Sequence, residues 1–402
     1  MININEALSA VLTENCSRQK VYKEIHCARN YFLAEDIRAD RDYPPFHRAA
    51  VDGFAMGFGD IQSGIRSFEI KSELFAGQES NFRAASGQCV KIMTGAALPD
   101  GLDVLLKVED GVVHGNTVQI PDQKYFSGMN MAARGESAKK DSVIAPKGSK
   151  INQRSVHSLA AAGIASIPVF EPPSVSIIST GDELVPIDHV PGSCQIRDSN
   201  YFGLLYELQK FNISPSNYCI VPDNRNELKT SIEAGLQSDI LIVSGGVSMG
   251  DADFVPHILK ELGVRQIFHN VNIKPGKPLW FGRKGSQGTV VFALPGNPLS
   301  TLVSYKVFME PWLCKIFYAR APVKLALPMQ HEKILKGQRP EYFPARITQS
   351  PENAVSAIEA VKFHGSGDTG AAFGSDGLAF HSAGSQTLKK NDIVEFLPWS
   401  LL

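Results

Sequence analysis

Ile240-Leu241-Ile242-Val243-Ser244 runs without a break into Gly245-Gly246-Val247-Ser248-Met249-Gly250-Asp251-Ala252-Asp253, and this stretch decides the fold. Four consecutive apolar residues leave no polar face, so the segment reads as a strand covered on both sides, as in a parallel sheet packed between helices. The glycines then turn the chain, and a helical pattern over Asp253–Leu262 ends at Gly263. Outward from here, strands are predicted at Val175–Thr180, Tyr218–Val221, Asp239–Ser244, near Gln266–Ile273 and at Thr289–Leu294. Helices are predicted at Ser199–Phe211, Asn224–Gln237 and from about Pro298 to Phe317. The alternation predicts a doubly wound parallel α/β sheet, whose ligands sit beyond the carboxyl ends of its strands.

The whole chain has 402 residues, enough for two to four domains at about 150 residues each. Ile4, Ala7, Leu8, Val11 and Leu12 share one helical face, so a short amphipathic helix opens it. Glycine and proline punctuation between short apolar runs predicts a β-rich domain over 41–135, flanked by 1–40 and 136–171. Pro172-Pro173 marks the entry to the α/β domain, 172–320. After it, 321–402 reads as a small C-terminal β-barrel, with strands at Tyr342–Thr348, Ala354–Phe363, Leu378–His381 and Asp392–Leu397.

Forty Lys and Arg against 41 Asp and Glu give a net charge of −1, which provides no basic field for nucleic acid or anionic lipid. The longest apolar stretch, Ser158 to Phe170, contains Pro168 and is too short to span a bilayer. Met1 to Asn15 carries Glu6 and Glu14 where a leader would be basic and then apolar, so a cytoplasmic protein is expected. The six cysteines are scattered without a C-x-x-C pair and are read as buried thiols.

Three chemistries compete for the glycine-rich turn. Gly246-Val247-Ser248-Met249-Gly250 is a G-x-S-x-G, which would make Ser248 a hydrolase nucleophile, but no oxyanion loop of the HGGG type stands upstream. The glycine spacing also resembles a P-loop, yet Asp251 stands where Lys should. The third reading is an anion-binding turn beside carboxylates, with helix capping by Asp251 or Asp253 as its plain structural alternative. The other strand ends favour it: they run into Gly181-Asp182-Glu183, Pro222-Asp223 and Pro295-Gly296-Asn297-Pro298, and in a parallel sheet these share one edge. Lys274-Pro275-Gly276-Lys277-Pro278 adds two ammonium groups. Acids and lysines in one crevice suit a phosphorylated ligand met partly through a divalent metal. Two further matches fail: Gly365-Ser366-Gly367-Asp368-Thr369-Gly370 has no following helix for a dinucleotide site, and His331-Glu332 lacks its second histidine because residue 335 is Leu335.

Ser179-Thr180-Gly181-Asp182-Glu183-Leu184, Ser244 through Asp253, Ile273 through Pro278 and Leu294 through Pro298 stand in the order found in the molybdopterin molybdotransferases, and the chain resembles that family, including the gephyrin E domain. Val51-Asp52-Gly53-Phe54-Ala55 resembles its M-D-G-Y-A, and Ile92-Met93-Thr94-Gly95-Ala96 its M-T-G-A. The resemblance spans essentially the whole chain. It implies four domains per chain, with 1–40 and 136–171 forming one linking and dimerisation domain into which 41–135 is inserted, and an elongated homodimer in which the β-rich domain of one chain faces the α/β domain of the other. The implied reaction is insertion of molybdate into adenylylated molybdopterin with Mg²⁺-dependent release of AMP, the last step of molybdenum cofactor biosynthesis.

Carried onto this sequence, the resemblance makes Asp52, Glu183, Asp223 and Asp253 catalytic acids, the last three also metal ligands. Thr94, Gly245, Gly246 and Ser248 join the substrate site. Lys274 would hold phosphate, while Lys277, Pro278, Arg346 and Ser366 would surround molybdate. A molybdopterin adenylyltransferase and molybdoenzyme-maturation proteins are the implied partners. The chain departs from the family pattern at His47-Arg48-Ala49-Ala50, where small polar groups are usual, and at Ser137, where an aspartate is usual and Asp141 is a displaced substitute. Asn270 stands where some members carry a second lysine. The intact α/β acids argue for retained chemistry against the alternative of a non-catalytic scaffold.

Overall fold

Asn3 opens the first helix, α1 (Ile4–Thr13), through a capping box: its side chain accepts from Glu6 N at 2.9 Å, and Glu6 Oε2 accepts from Asn3 N at 3.2 Å. The structure, a computed structural model, describes residues 1–16, 18–248, 253–335, 337–349, 356–384 and 387–399. It divides into two units, Asp36–Pro146 with Gln153–Ala165, and Met1–Glu35 with Lys147–Asn152 and Ser166–Leu402.

The first of these carries a six-stranded sheet made of β1 (Gly53–Met56), β2 (Ser67–Leu74), β3 (Gln88–Ile92), β4 (Val104–Lys107), β5 (Val112–His114) and β6 (Thr117–Gln119), ordered β4-β1-β3-β2-β6-β5. Phe54, Met56, Phe68, Val104 and Leu106 fill one face; Ala55, Val90, Ile92 and Leu105 fill the other. Strand alternation thus gives the sheet apolar groups on both sides. Gly53 is required by packing, since a Cβ there would lie 1.8 Å from Leu106 O on the neighbouring strand.

The second unit is built on another six-stranded sheet: β7 (Val175–Thr180), β8 (Asn217–Val221), β9 (Ile240–Ser244), β10 (Val264–His269), β11 (Trp280–Lys284) and β12 (Val290–Leu294), ordered β8-β7-β9-β12-β11-β10. The first four in that order are parallel, as the sequence predicts. The edge differs: β10 and β11 run antiparallel, and β11 was not among the expected strands. Ile240 and Ile242 pack toward α2 (Asn200–Gln209), while Leu241 and Val243 pack toward α3 (Arg225–Gly235) and α4 (Val255–Glu261). Each such side chain, fully buried, contributes about 1.5–3 kcal/mol. The long helix after Pro298 is divided into α5 (Pro298–Ser304), a π-helical stretch Tyr305–Met309, and α6 (Glu310–Ile316).

A five-stranded antiparallel sheet follows, ordered β13-β17-β16-β14-β15, from β13 (Leu325–Pro328), β14 (Glu341–Gln349), β15 (Ser356–Ala360), β16 (Gly377–His381) and β17 (Ile393–Pro398). A Met329–Ile358 bridge ties its two edges, making a nearly closed barrel around Phe343, Ile358 and Phe396. Of the cysteines, Cys16, Cys89 and Cys314 are buried, but Cys27, Cys194 and Cys219 are exposed, which corrects the expectation of six buried thiols. Among the described residues no helix is long and apolar enough to cross a membrane.

Candidate active site at the sheet edge

Thr180, Val221, Ser244 and Leu294 end their parallel strands side by side: Thr180 pairs with Val221, Ser179 with Ser244, and Ser244 with Leu294. From β7 the chain leaves through α2 to β8 on one side, whereas from β9 it leaves through α4, on the opposite face, toward the other side. The adjacent β7 and β9 therefore form the topological switch point, where such sheets bind ligands.

The turns at this edge are tied together. Thr180 Oγ1 donates to Asp223 Oδ1 at 2.7 Å, and Asp223 N donates to Asp182 Oδ1 at 3.0 Å. Glu183 folds over Gly181, where a Cβ would lie 2.5 Å from its Oε2. Gly245 N donates to Leu294 O at 3.0 Å, and Asn200 Nδ2 bridges Ser244 Oγ and Gly296 O at 2.8 and 2.6 Å. Gly245 and Gly246 have φ of +103° and +63°, and the turn packs closely: a Cβ on Gly245 would lie 2.4 Å from Thr180 O, and one on Gly246 2.8 Å from Val255 Cγ2. Asp253, half-buried, lies between β9 and α4 at the same end of the sheet. Met249 to Ala252, including Asp251, lie outside the described residues. Ser248 is exposed and, among the described residues, no histidine hydrogen-bonds its hydroxyl; His269 Nε2 instead contacts Val247 O at 3.0 Å.

Beside this edge a cavity of about 320 Å³ brings Lys274, Lys277, Pro278 and Ser366 together. Leu299 N donates to Ser366 O at 3.0 Å, which seats the Gly365–Gly370 turn on the start of α5. Lys274 Nζ lies 2.8 Å from Oε2 of Glu341, whose side chain is 7% exposed. Arg339, Glu341, Asn297 and Ser300 also line the cavity. Sequence reading did not single these four out, although Asn297 stood inside a quoted motif. Arg346 is elsewhere: it lies five residues after Glu341 on β14, so its side chain leaves the opposite face of the strand. There it makes paired contacts of 3.0 and 2.9 Å with Glu359, its direct cross-strand neighbour.

Asp52 and Thr94 belong to the other unit. Asp52 Oδ1 accepts from both Thr94 N and Thr94 Oγ1 at 2.7 Å, and these two bonds hold its carboxyl below the usual carboxylate range. Thr94→Val keeps the N–H but removes the hydroxyl, so the pKa should rise toward the ordinary value without reaching it. A depressed folded-state pKa gives stabilisation that is present at neutral pH and lost as pH falls through that pKa, and the variant should lose it at higher pH. Carboxyl ¹³C titration by NMR checks this; an unmoved Asp52 would refute the assignment. In the same unit, Asp42 accepts from Arg134 Nε at 2.6 Å and Lys140 N at 3.0 Å, so an acid does anchor the loop that contains Ser137. Asp141 occupies a turn with φ of +66°.

The acids at the sheet edge offer oxygen donors only, the chemistry a hard divalent cation takes. Among the described residues no three His, Cys, Asp or Glu side chains gather closely enough to cage an ion. The set fits Mg²⁺ carried on substrate phosphates and touched by one or two carboxylates, the usual mode for that ion.

Residues 2–163 match the model of the MoeA N-terminal region (domain I and II), and residues 176–315 match that of the probable molybdopterin binding domain. A molybdopterin molybdenumtransferase of Synechocystis sp. is 31% identical over 369 residues, covering 91% of this chain and 92% of its own. One from Haemophilus influenzae is 32% identical over 367 residues, covering 89% and 85%. The crystal structure of the molybdopterin biosynthesis MoeA protein from Pyrococcus horikoshii superposes with a TM-score of 0.85 at 26% identity, over 99% of this chain and 100% of that one. With the nearly full-length match at this identity, and with the same order of domains, the chain belongs to the molybdopterin molybdenumtransferase family, the MoeA proteins.

Proposed function

We propose that this protein inserts molybdate into adenylylated molybdopterin, releasing AMP in a Mg²⁺-dependent step of molybdenum cofactor biosynthesis. The observation that carries the reading is the meeting of Lys274, Lys277 and Ser366 in one cavity at the end of β12, on the sheet edge that also carries the acid-bearing turns of the switch point. A pyrophosphate and an incoming oxyanion need both kinds of group, cations for the anions and acids for water and metal.

In this reading one phosphorus–oxygen bond of the pyrophosphate breaks, water supplies the replacing oxygen, and AMP leaves. The two dithiolene sulfurs displace oxygen from molybdate, which departs as water. Gly245 and Gly246 let the turn close against Thr180 and Val255 at the switch point, and Thr180 fixes the direction of Asp223. Lys274 and Lys277 hold anionic oxygens. Glu183, Asp223 and Asp253 orient water, and Glu183 and Asp223 would touch Mg²⁺, which neutralises charge on the pyrophosphate when bound. A homodimer belongs to the same proposal, with Asp52 and Thr94 of one protomer completing the partner's cleft.

Purified protein supplied with adenylylated molybdopterin and Mg²⁺ should release AMP when molybdate is added, and chelation should stop it. Tight binding of the adenylylated species without AMP release would instead identify a carrier. Fluorophosphonate labelling lost on Ser248→Ala would identify a serine hydrolase.

A further inference from the structure

We propose that Asn200 is a positioning residue, whose carboxamide sets the spacing between the acid-bearing turns and the lysine cavity and so brings the two reacting anions together. The inference rests on the molybdotransferase reading and deepens it. Asn200 Nδ2 donates to Ser244 Oγ at 2.8 Å and to Gly296 O at 2.6 Å. An amide nitrogen carries two protons, and here each is given to a different turn. Ser244 leads into Gly245, which packs on Thr180, and the Thr180 hydroxyl in turn holds Asp223. Gly296 stands between Pro295 and Asn297, which line the cavity together with Lys274 and Lys277. The two turns lie against each other, since a Cβ on Gly296 would be 3.5 Å from Gly245 Cα. Asn200 is thus the side chain that joins the acid half of the site to the cationic half.

An asparagine at the start of a helix is ordinarily its cap, but here that duty is met by another residue. Asp198 Oδ1 accepts from Asn200 N at 3.0 Å and Tyr201 N at 3.3 Å, and its Oδ2 accepts from the Tyr218 hydroxyl at 2.9 Å. Asp198 is buried, and the Tyr201 and Tyr218 rings stack with centroids 3.6 Å apart. The first turn of α2 is therefore fixed to β8 by its backbone and its neighbours, which leaves the Asn200 side chain to reach across the ends of β9 and β12. The glycine-rich turn has anchors of its own: Gly245 N donates to Leu294 O at 3.0 Å, and His269 Nε2 lies 3.0 Å from Val247 O. Loss of the Asn200 amide should leave both turns folded and alter their spacing, to which a reaction between two bound groups is acutely sensitive.

Steady-state AMP release by the full chain tests this, with adenylylated molybdopterin and molybdate varied in turn at fixed Mg²⁺. Asn200→Asp keeps the shape and removes both donors, and Asn200→Ala removes the group. Each should lower kcat by about tenfold or more, while KM for either substrate stays within about threefold, because no direct contact to either is lost. Ser244→Ala, which leaves the bond to Gly296, should keep most of the turnover. Unchanged kcat in both Asn200 variants, a rise in KM that accounts for the loss, or a fall in Ser244→Ala as large as in Asn200→Ala would overturn the proposal. So would a loss of turnover matched by a loss of folded protein in the thermal melts of both Asn200 variants. Wild type that releases no AMP would overturn the transferase reading and this proposal with it, whereas failure of the proposal alone leaves wild-type release intact.

Discussion

Gly245→Ala should reduce molybdate-dependent AMP release by about 100-fold or more, the scale on which small misplacements of catalytic groups act. A Cβ at this position would stand 2.4 Å from Thr180 O and 3.1 Å from Thr180 Cγ2, and φ of +103° lies where side chains are strained whatever the space. The backbone term alone costs about 1–3 kcal/mol. The clash is with backbone, on a strand paired on both sides, so Thr180 cannot step away cheaply. Any shift it makes is passed to Asp223 through the 2.7 Å hydroxyl bond. Thr180→Val separates the two effects, because it removes the bond without pushing the strand, and should cost about tenfold. Gly246→Ala should be milder than Gly245→Ala, since its Cβ would meet side-chain carbons of Val255 and Thr180 rather than a backbone oxygen. Turnover of Gly245→Ala equal to wild type would show that Thr180 and Asp223 do not set the geometry of the reaction.

The parallel centre of the sheet was legible because its information is local. Ile240 to Val243 alternate between two helical layers, and such a strand must be apolar at every position. Strand β11 was not legible for the opposite reason. Arg283 in its middle is buried only because Glu14, 269 residues earlier, accepts from its Nη1 at 2.7 Å. Gly282 looks like a turn residue but is there because a Cβ would lie 2.6 Å from Arg265 O on β10 and 2.4 Å from the Trp280 ring. The site divides in the same way. Lys274 and Lys277 are set close together by one proline-bounded turn, which sequence displays directly. Arg339 and Glu341 reach that turn through the parallel bridge of Lys274 with Glu341, a tertiary pairing that no spacing records. Motif order alone cannot tell Arg339 from Arg346; the folded chain can, because Arg339 lines the cavity while the parity of β14 turns Arg346 away from Glu341.

Lys306→Met should destabilise the sheet-bearing unit by about 3–5 kcal/mol, the cost of leaving a buried charge without its partner. Lys306 and Glu310 sit four residues apart across the end of the π-helical stretch, with side chains 4% and 0% exposed and Nζ 2.7 Å from Oε2. Neither carboxylate oxygen receives a well-directed hydrogen bond from the described residues, so the contact is held by charge rather than by hydrogen-bond geometry. Burial pushes the Glu310 carboxyl up from its ordinary value, and the Lys306 ammonium opposes that shift. Removing the ammonium should raise it further. A carboxyl whose folded pKa lies above its unfolded value favours the folded state at low pH and loses that contribution as pH rises through the folded pKa. The deficit of Lys306→Met should therefore be smallest in mild acid, where Glu310 is protonated, and should grow toward neutral and alkaline pH. Lys306→Met combined with Glu310→Leu should recover most of the loss, because an apolar pair of similar volume needs no compensation in this core. Denaturant midpoints across pH measure all three proteins. A cost for Lys306→Met that is small and independent of pH would mean that Glu310 is already neutral in the folded protein, and that the π-helical turn is kept for packing rather than for the ion pair.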